Sequence, residues 1–199
     1  MSNLFKSSEI RWFSSEKESL ESIFRSLPGE FDNAQERTDY YLITALANTG
    51  IKIREGRHEL KLKRDSDEFI ESIGTIEHWA KWSSTEEQNI LNTIEDIHLS
   101  DWLAVIKKRF LKIYSVSKNG KNVANAYGFV HDGCGVEFTI LKIDDQMVYT
   151  LGLEAWGRYH KSGDNLIKVF RYLKLNPDFF KNTICMSYPE YLKNFINSE

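Results

Sequence analysis

The stretch Ile51-Lys52-Ile53-Arg54-Glu55-Gly56-Arg57-His58-Glu59-Leu60-Lys61-Leu62-Lys63-Arg64 decides how this chain is read. Apolar and charged residues alternate in it, and a period of two marks a strand with two unlike faces. The pattern predicts two short strands about a turn at Gly56-Arg57-His58. Ile51 and Ile53 share one face and Lys52 and Arg54 the other. Beyond the turn, Leu60 and Leu62 oppose Lys61 and Lys63. The apolar faces are expected to sit on a core, which leaves one continuous cationic face. Like charges on neighbouring strands repel. Solvent, carboxylates or an anionic ligand must offset that repulsion. The plain reading is a solvated hairpin surface, and the functional one is an anion site.

Working outward, the same alternation recurs. Ser8–Phe13 reads as a strand with Glu9, Arg11 and Phe13 pointing one way, Ile10 and Trp12 the other. Thr38–Thr44 is β-branched and aromatic, hence a strand. Ile76–Trp82 sets Glu77, Trp79 and Lys81 opposite His78, Ala80 and Trp82. Leu103–Tyr114 puts Lys107 and Arg109 on one face. Asn125–His131 reads as a further strand, broken at Asp132-Gly133. Val136–Ile143 turns Glu137 and Thr139 one way. Past Asp144-Asp145-Gln146, Met147–Trp156 groups Thr150, Gly152, Glu154 and Trp156. Ser15 and Glu18 have the spacing of a capping box. Leu20, Ile23, Phe24 and Leu27 then follow at helical spacing until Pro28-Gly29. A helix from Ser84 carries Ile90, Leu91 and Ile94, and a last helical pair, Asn165–Leu173 and Tyr188–Phe195, divides at Asn176-Pro177. About eight strands with two or three helices make an α+β pattern. An open sheet with one wet face and a closed barrel with a charged lumen both satisfy it.

At 199 residues the chain is read as a single domain, 1–199. A net charge of −3 gives no global bias toward nucleic acid, so any basic site is a local concentration. Cys134 and Cys185 are too few for a disulfide scaffold and have no metal-binding spacing. Neither a secretory leader nor an apolar run long enough to span a bilayer is visible, so a soluble cytoplasmic protein without membrane or nucleic-acid partners is expected. Glycine patterns for nucleotide loops are absent. His58 and His131 read as turn residues, and Cys134 lies between glycines without a base partner.

The order of these motifs resembles the CYTH superfamily, the triphosphate tunnel proteins. The residues that carry it are Glu9-Ile10-Arg11, Asp39-Tyr40-Tyr41, Ile51-Lys52-Ile53-Arg54, Glu59-Leu60-Lys61-Leu62-Lys63, Lys107-Lys108-Arg109, Val136-Glu137-Phe138, Leu153-Glu154 and the closing Ser187-Tyr188 with Tyr191-Leu192. They span nearly the whole chain. The resemblance implies an eight-stranded antiparallel β-barrel, a tunnel with peripheral helices. It implies phosphate binding by Arg11, Lys52, Arg54, Lys61, Lys63, Lys107 and Arg109. It also implies Glu9, Glu137 and Glu154 as catalytic residues and ligands of Mg²⁺ or Mn²⁺, with a triphosphate or polyphosphate as substrate. Arg and Lys suit phosphate oxygens, and Mg²⁺ needs only one or two carboxylates beside substrate oxygens. The chain departs from the family's first-strand Glu-x-Glu-x-Lys at Arg11 and Phe13. It also carries Thr139 and Trp156 where the family has acids. Exchanging a carboxylate for a cation favours anion binding over metal binding. A non-catalytic module that keeps the barrel and loses the metal site is the alternative expectation.

Overall fold

The computed structural model describes residues 4–31, 34–65, 67–70, 73–84, 102–159 and 161–197. Strand β1 (Phe5–Ser14) leads to helix α1 (Lys17–Ser26) and then to β2 (Gln35–Leu42), β3 (Thr49–Arg54), β4 (Arg57–Lys63), β5 (Glu68–Ile70) and β6 (Gly74–Ser83). There follow β7 (Trp102–Val116), β8 (Val123–Ala126), β9 (Gly133–Ile143), β10 (Gln146–Trp156) and α2 (Ser162–Tyr172). A 3₁₀ turn (Pro177–Phe180), β11 (Ile184–Cys185) and α3 (Tyr188–Ile196) close the chain. The hydrogen-bonded circuit β1-β10-β9-β7-β2-β3-β4-β6 returns to β1, so eight strands close an antiparallel barrel. Closure removes the sheet edges. It also resolves the ambiguity of the alternation: one face of each strand lines a lumen and the other faces outward.

The outer face carries the larger core. Ile10 and Trp12 of β1 pack with Leu20, Ile23 and Phe24 of α1 and with Leu166, Val169 and Phe170 of α2. Trp12 stacks on Phe180 with ring centroids 3.9 Å apart, and its indole N–H donates to the Ile73 carbonyl. Each such side chain, removed from water, stabilises the fold by about 1.5–3 kcal/mol. A second, smaller core lies inside. Phe13, Tyr41, Val105, Leu141, Ile143 and Val148 are lumen-facing and meet Leu192 of α3. Phe13 stacks on Tyr191 at 4.0 Å. Helix α3 therefore plugs one end of the barrel.

Several expectations are corrected. The hairpin turn is Glu55-Gly56, both with positive φ, as a two-residue turn matched to strand twist requires, and not Gly56-Arg57-His58. Its apolar face does not sit on a core. Only Ile53 is buried, while Leu62 is 44% exposed, because the charged face is the one turned into the lumen. Ser15 does not cap α1. Strand β1 runs on to Ser14, whose hydroxyl accepts from the Glu16 amide, and Glu16 occupies the cap without a side-chain bond. The strand expected at Asn125–His131 is shorter and earlier, Val123–Ala126. After it the chain leaves the sheet through Gly128 in a left-handed conformation. The helix expected to carry Ile90, Leu91 and Ile94 lies outside the described residues. No helix among those described is long and apolar enough to cross a membrane.

Candidate functional site

The lumen-facing residues follow directly from strand parity. On β1, Glu9 and Arg11 precede Phe13. On β7, Val105 precedes Lys107 and Arg109. On β9, Glu137 and Thr139 precede Leu141. In each strand the inward face changes from apolar, against α3, to charged. The charged segment forms a cavity of about 150 Å³ that opens to solvent. Eight cations line it: Arg11, Arg37, Lys52, Arg54, Lys61, Lys81, Lys107 and Arg109. Four carboxylates line it as well: Glu9, Glu59, Glu137 and Glu154. Tyr41 and Tyr188 complete the wall near the floor. Of the bases expected on one concave face, Lys52, Arg54, Lys61, Lys107 and Arg109 are there. Lys63 is not. It turns to Glu77, at 2.7 Å, and to Asp67, because its position lies past the reach of the cavity.

Asp39 organises the cations. It is fully buried and opposite Arg54 in the β2–β3 ladder. Arg54 donates to it through Nε at 3.0 Å and Nη2 at 3.1 Å, and Lys52, Lys107 and Arg37 lie within 3.4 Å. Burial alone would raise this carboxyl, but Lys107, Lys52 and Arg54 hold it well below the carboxylate range. The same crowding acts in reverse on the lysines. Burial, with the Arg54 guanidinium adding repulsion, lowers Lys52 to about 7. Burial lowers Lys107 to about 7 as well, against the pull of Asp39. Glu59 offsets part of the charge by pairing with Lys52 at 2.9 Å and Arg54 at 3.4 Å.

Arg11 lies across the lumen. Its Nη1 donates to Thr150 Oγ1 at 2.9 Å and pairs with Glu137 Oε1 at 3.1 Å, and the guanidinium rests 4.4 Å from the Tyr188 ring centroid. The ladder explains how it reaches there. Arg11 stands opposite Gly152, which in turn stands opposite Glu137, so the glycine position is the corridor between them. A Cβ on Gly152 would lie 2.6 Å from Arg11 Cζ. Glu137 also pairs with Arg109 through Oε2 at 3.4 Å and accepts from Thr139. Burial would raise Glu137, but Arg11 and Arg109 hold it at about 2. Glu137 does not face Glu154 across the ladder, as their consecutive strands suggest. The register places Glu154 opposite Gly135 and, on its other side, opposite Glu9. Burial raises the Glu9 carboxyl, and Glu154 adds to that, while the bonded Lys61 ammonium opposes both. Burial would raise Glu154 too, but Lys61 and Lys81 keep it at about 2.

Two of the three carboxylates named for Mg²⁺ or Mn²⁺, Glu9 and Glu137, are already paired with cations. Such an ion wants free oxygens in near-octahedral array. Both oxygens of Glu137 are held by guanidinium groups and Glu9 is held by Lys61, while Glu154 feels the charges of Lys61 and Lys81. Among the described residues no three His, Cys, Asp or Glu side chains converge. Cys134 is buried, which pushes its thiol well up, and it takes no part in the lumen. Trp156 is engaged at the rim, its indole N–H donating to the Val130 carbonyl.

Arg37, Tyr41, Glu59, Lys81 and Tyr188 line the cavity without having been singled out in the sequence as site residues, and Asp39 lies behind them. Parity carried a signal for three of them. Glu59 precedes Lys61 by two residues, Lys81 follows Trp79 by two, and Asp39 precedes Tyr41 by two. Arg37 gave none, because it precedes the strand read from the sequence at Thr38–Thr44.

No family model matches the chain, and no curated protein matches it. Among solved structures, a conserved hypothetical protein from Pyrococcus furiosus is 13% identical over 92% of this chain and 98% of its own, with a TM-score of 0.46. A protein from Pyrococcus horikoshii OT3 is 13% identical over 96% and 98%, with a TM-score of 0.44. A chain in the Schizosaccharomyces pombe Mediator head module is 10% identical over 84% and 94%, with a TM-score of 0.41. At those values the likenesses carry no argument, and the site rests on its own geometry.

Proposed function

We propose that this chain is a CYTH-like tunnel protein that binds the phosphate chain of a triphosphate or polyphosphate, without a metal ion as intermediary. The observation that carries the reading is the charge of the lumen. Eight cations face four lining carboxylates and the buried Asp39, inside a low-dielectric wall. Burying so many bases is costly when the lumen is empty, enough to lower Lys52 and Lys107 to about 7, and an anion relieves that cost. Guanidinium groups at Arg11, Arg54 and Arg109 suit two-pronged contact with phosphate oxygens. Metal-dependent hydrolysis, the other activity implied by the CYTH resemblance, has less support, because two of the three carboxylates that would hold the ion, Glu9 and Glu137, are engaged by lysine and arginine.

The test is thermal unfolding with tripolyphosphate, in the presence of EDTA and then of Mg²⁺ or Mn²⁺, together with a phosphate-release assay. A ligand at about 100 times its Kd adds about 2.7 kcal/mol, a rise of roughly 5–10 °C for a chain of this size. The rise is expected in EDTA and is expected to shrink by more than half in Arg54→Ala. An unchanged melting temperature across triphosphates refutes the binding reading. Binding only with metal, or phosphate release only with metal, refutes its metal-free form.

A further inference from the structure

We propose that the tunnel is blind and takes only the free end of a phosphate chain, terminal phosphate first, so that each chain end holds one protein molecule. This rests on the reading that the lumen binds phosphate chains. Three observations carry the inference.

The first is the floor. The lumen-facing positions Phe13, Val105, Leu141, Ile143 and Val148 are each at most 6% exposed and close on Leu192 of α3. Tyr188 packs edge-on against Phe13, and Pro189 borders the cavity. The hydroxyls at its upper edge, on Tyr41 and Tyr188, accept from Lys107 and Arg11. A polyanion has no route past an apolar layer packed to interior density.

The second is the gradient of burial among the cations. Side-chain exposure is 21–23% for Arg109, Arg54 and Lys61, 9% for Arg11 and 4% for Lys107. On their own strands Arg11 and Lys107 are the charged residues next to Phe13 and Val105, and the fully buried Asp39 stands opposite Val105. Lys107 lies 3.9 Å from the Tyr188 ring centroid and donates to the Tyr41 hydroxyl. The most buried of these cations, Lys107, thus lies toward the closed end of the channel, beside the Asp39 carboxylate.

The third is the chemistry of the ligand. An internal phosphate of a chain carries one negative charge. A terminal phosphate has a second ionisation near neutral pH and three free oxygens, so it carries more charge on a group with one fewer bond to the chain. The end of the chain is therefore both the part that fits a blind channel and the part that offers the most charge to the cations along its wall.

The experiment measures stoichiometry. Polyphosphates of several defined lengths are titrated with the protein in EDTA, and the mass of the saturated complex is read by sedimentation or mass photometry. End-on capture predicts no more than two protein molecules per chain at every length. A number that grows in proportion to length overturns end-on capture while leaving phosphate binding intact. In parallel, cyclic trimetaphosphate, which has no terminus, is expected to bind at least about tenfold more weakly than linear tripolyphosphate. Equal binding of ring and chain overturns the proposal. If neither tripolyphosphate nor any longer chain binds, the reading beneath it fails as well, and that result is distinct from a length-dependent stoichiometry.

Discussion

Replacing Gly152 with alanine is expected to destabilise this protein, against the usual rule. Glycine inside a regular element is ordinarily worse than alanine by about 0.5–1 kcal/mol. Gly152 is not one of the positions with left-handed φ, so its backbone does not require glycine. The obstacle is a side chain. The added Cβ would stand 2.6 Å from Arg11 Cζ, 2.7 Å from Nη2 and 2.9 Å from Nη1. Carbon atoms pack at about 3.5–4.0 Å, so the guanidinium must retreat by roughly 1 Å. Its bonds to Thr150, at 2.9 Å, and Glu137, at 3.1 Å, then stretch out of range. A hydrogen bond to a charged group is worth about 1.5–3 kcal/mol, and a buried carboxylate left without its partner costs more. Arg109 still holds the other Glu137 oxygen, which limits the loss. Set against the alanine gain, the net loss is about 2–4 kcal/mol, a fall in melting temperature of roughly 5–15 °C. The assay is thermal or urea unfolding of Gly152→Ala, Arg11→Ala and the double variant. In the Arg11→Ala background the alanine should be neutral or slightly stabilising, because the group it strikes is gone. A single variant as stable as the parent, or an equal loss in both backgrounds, refutes the corridor.

The two depressed lysines predict a pH dependence. Lys52 and Lys107 titrate near 7 in the folded protein and near about 10.4 when unfolded. Above 7 the unfolded chain holds more protons at these lysines, so stability should rise with pH from about 7 to about 8, below the range in which the raised Cys134 thiol acts in the opposite sense. Urea unfolding at a series of pH values checks the sign, and a fall across that window contradicts it. Binding of tripolyphosphate near pH 8 should draw up to about two protons onto these lysines. Calorimetry in buffers of different ionisation enthalpy measures that uptake, and zero uptake would remove the lysines from the site. Arg11→Glu removes the guanidinium from the corridor and adds a carboxylate. It is expected to tighten Mn²⁺ binding by about tenfold or more in the absence of phosphate, read by electron paramagnetic resonance. Unchanged affinity would show that Arg11 is not what keeps the divalent ion out.

The barrel strands were legible because alternation survives in nearly all of them, even where both faces are buried. Direction was not. From Ile51 to Lys63 the apolar residues read as the inner set, yet Leu62 is 44% exposed and Lys52 and Lys61 point inward. Hydropathy alone assigns charge to water, and a charged lumen inverts that rule. The cations of the site were legible for the same reason as the strands, by parity. Their partners were less so. Asp39 sits in an aromatic run that reads as a core strand, and its burial among four bases follows only from the β7-β2-β3 order, which no local pattern encodes. The Glu9–Glu154 and Glu137–Gly152 registers are likewise properties of long-range pairing. Gly152 reads as an unremarkable strand glycine until the residue opposite it is known.

Asp39 has a consequence for how the wall itself breathes. The ladder between β2 and β3 runs only from Asp39 to Leu42 on one strand and Ile51 to Arg54 on the other, so it is short on backbone bonds. Asp39 lies at its end and draws Lys52 and Arg54 from β3 together with Lys107 from β7. Three neighbouring strands are thereby clasped by one side chain at the place where main-chain pairing is thinnest. Local opening should begin at this seam, and the amides of Ile51–Arg54 should exchange with solvent sooner than those of β9 or β10, whose ladder extends from Gly133 to Ile143. The residue that gathers the cations is then also the latch that decides when the tunnel wall comes apart.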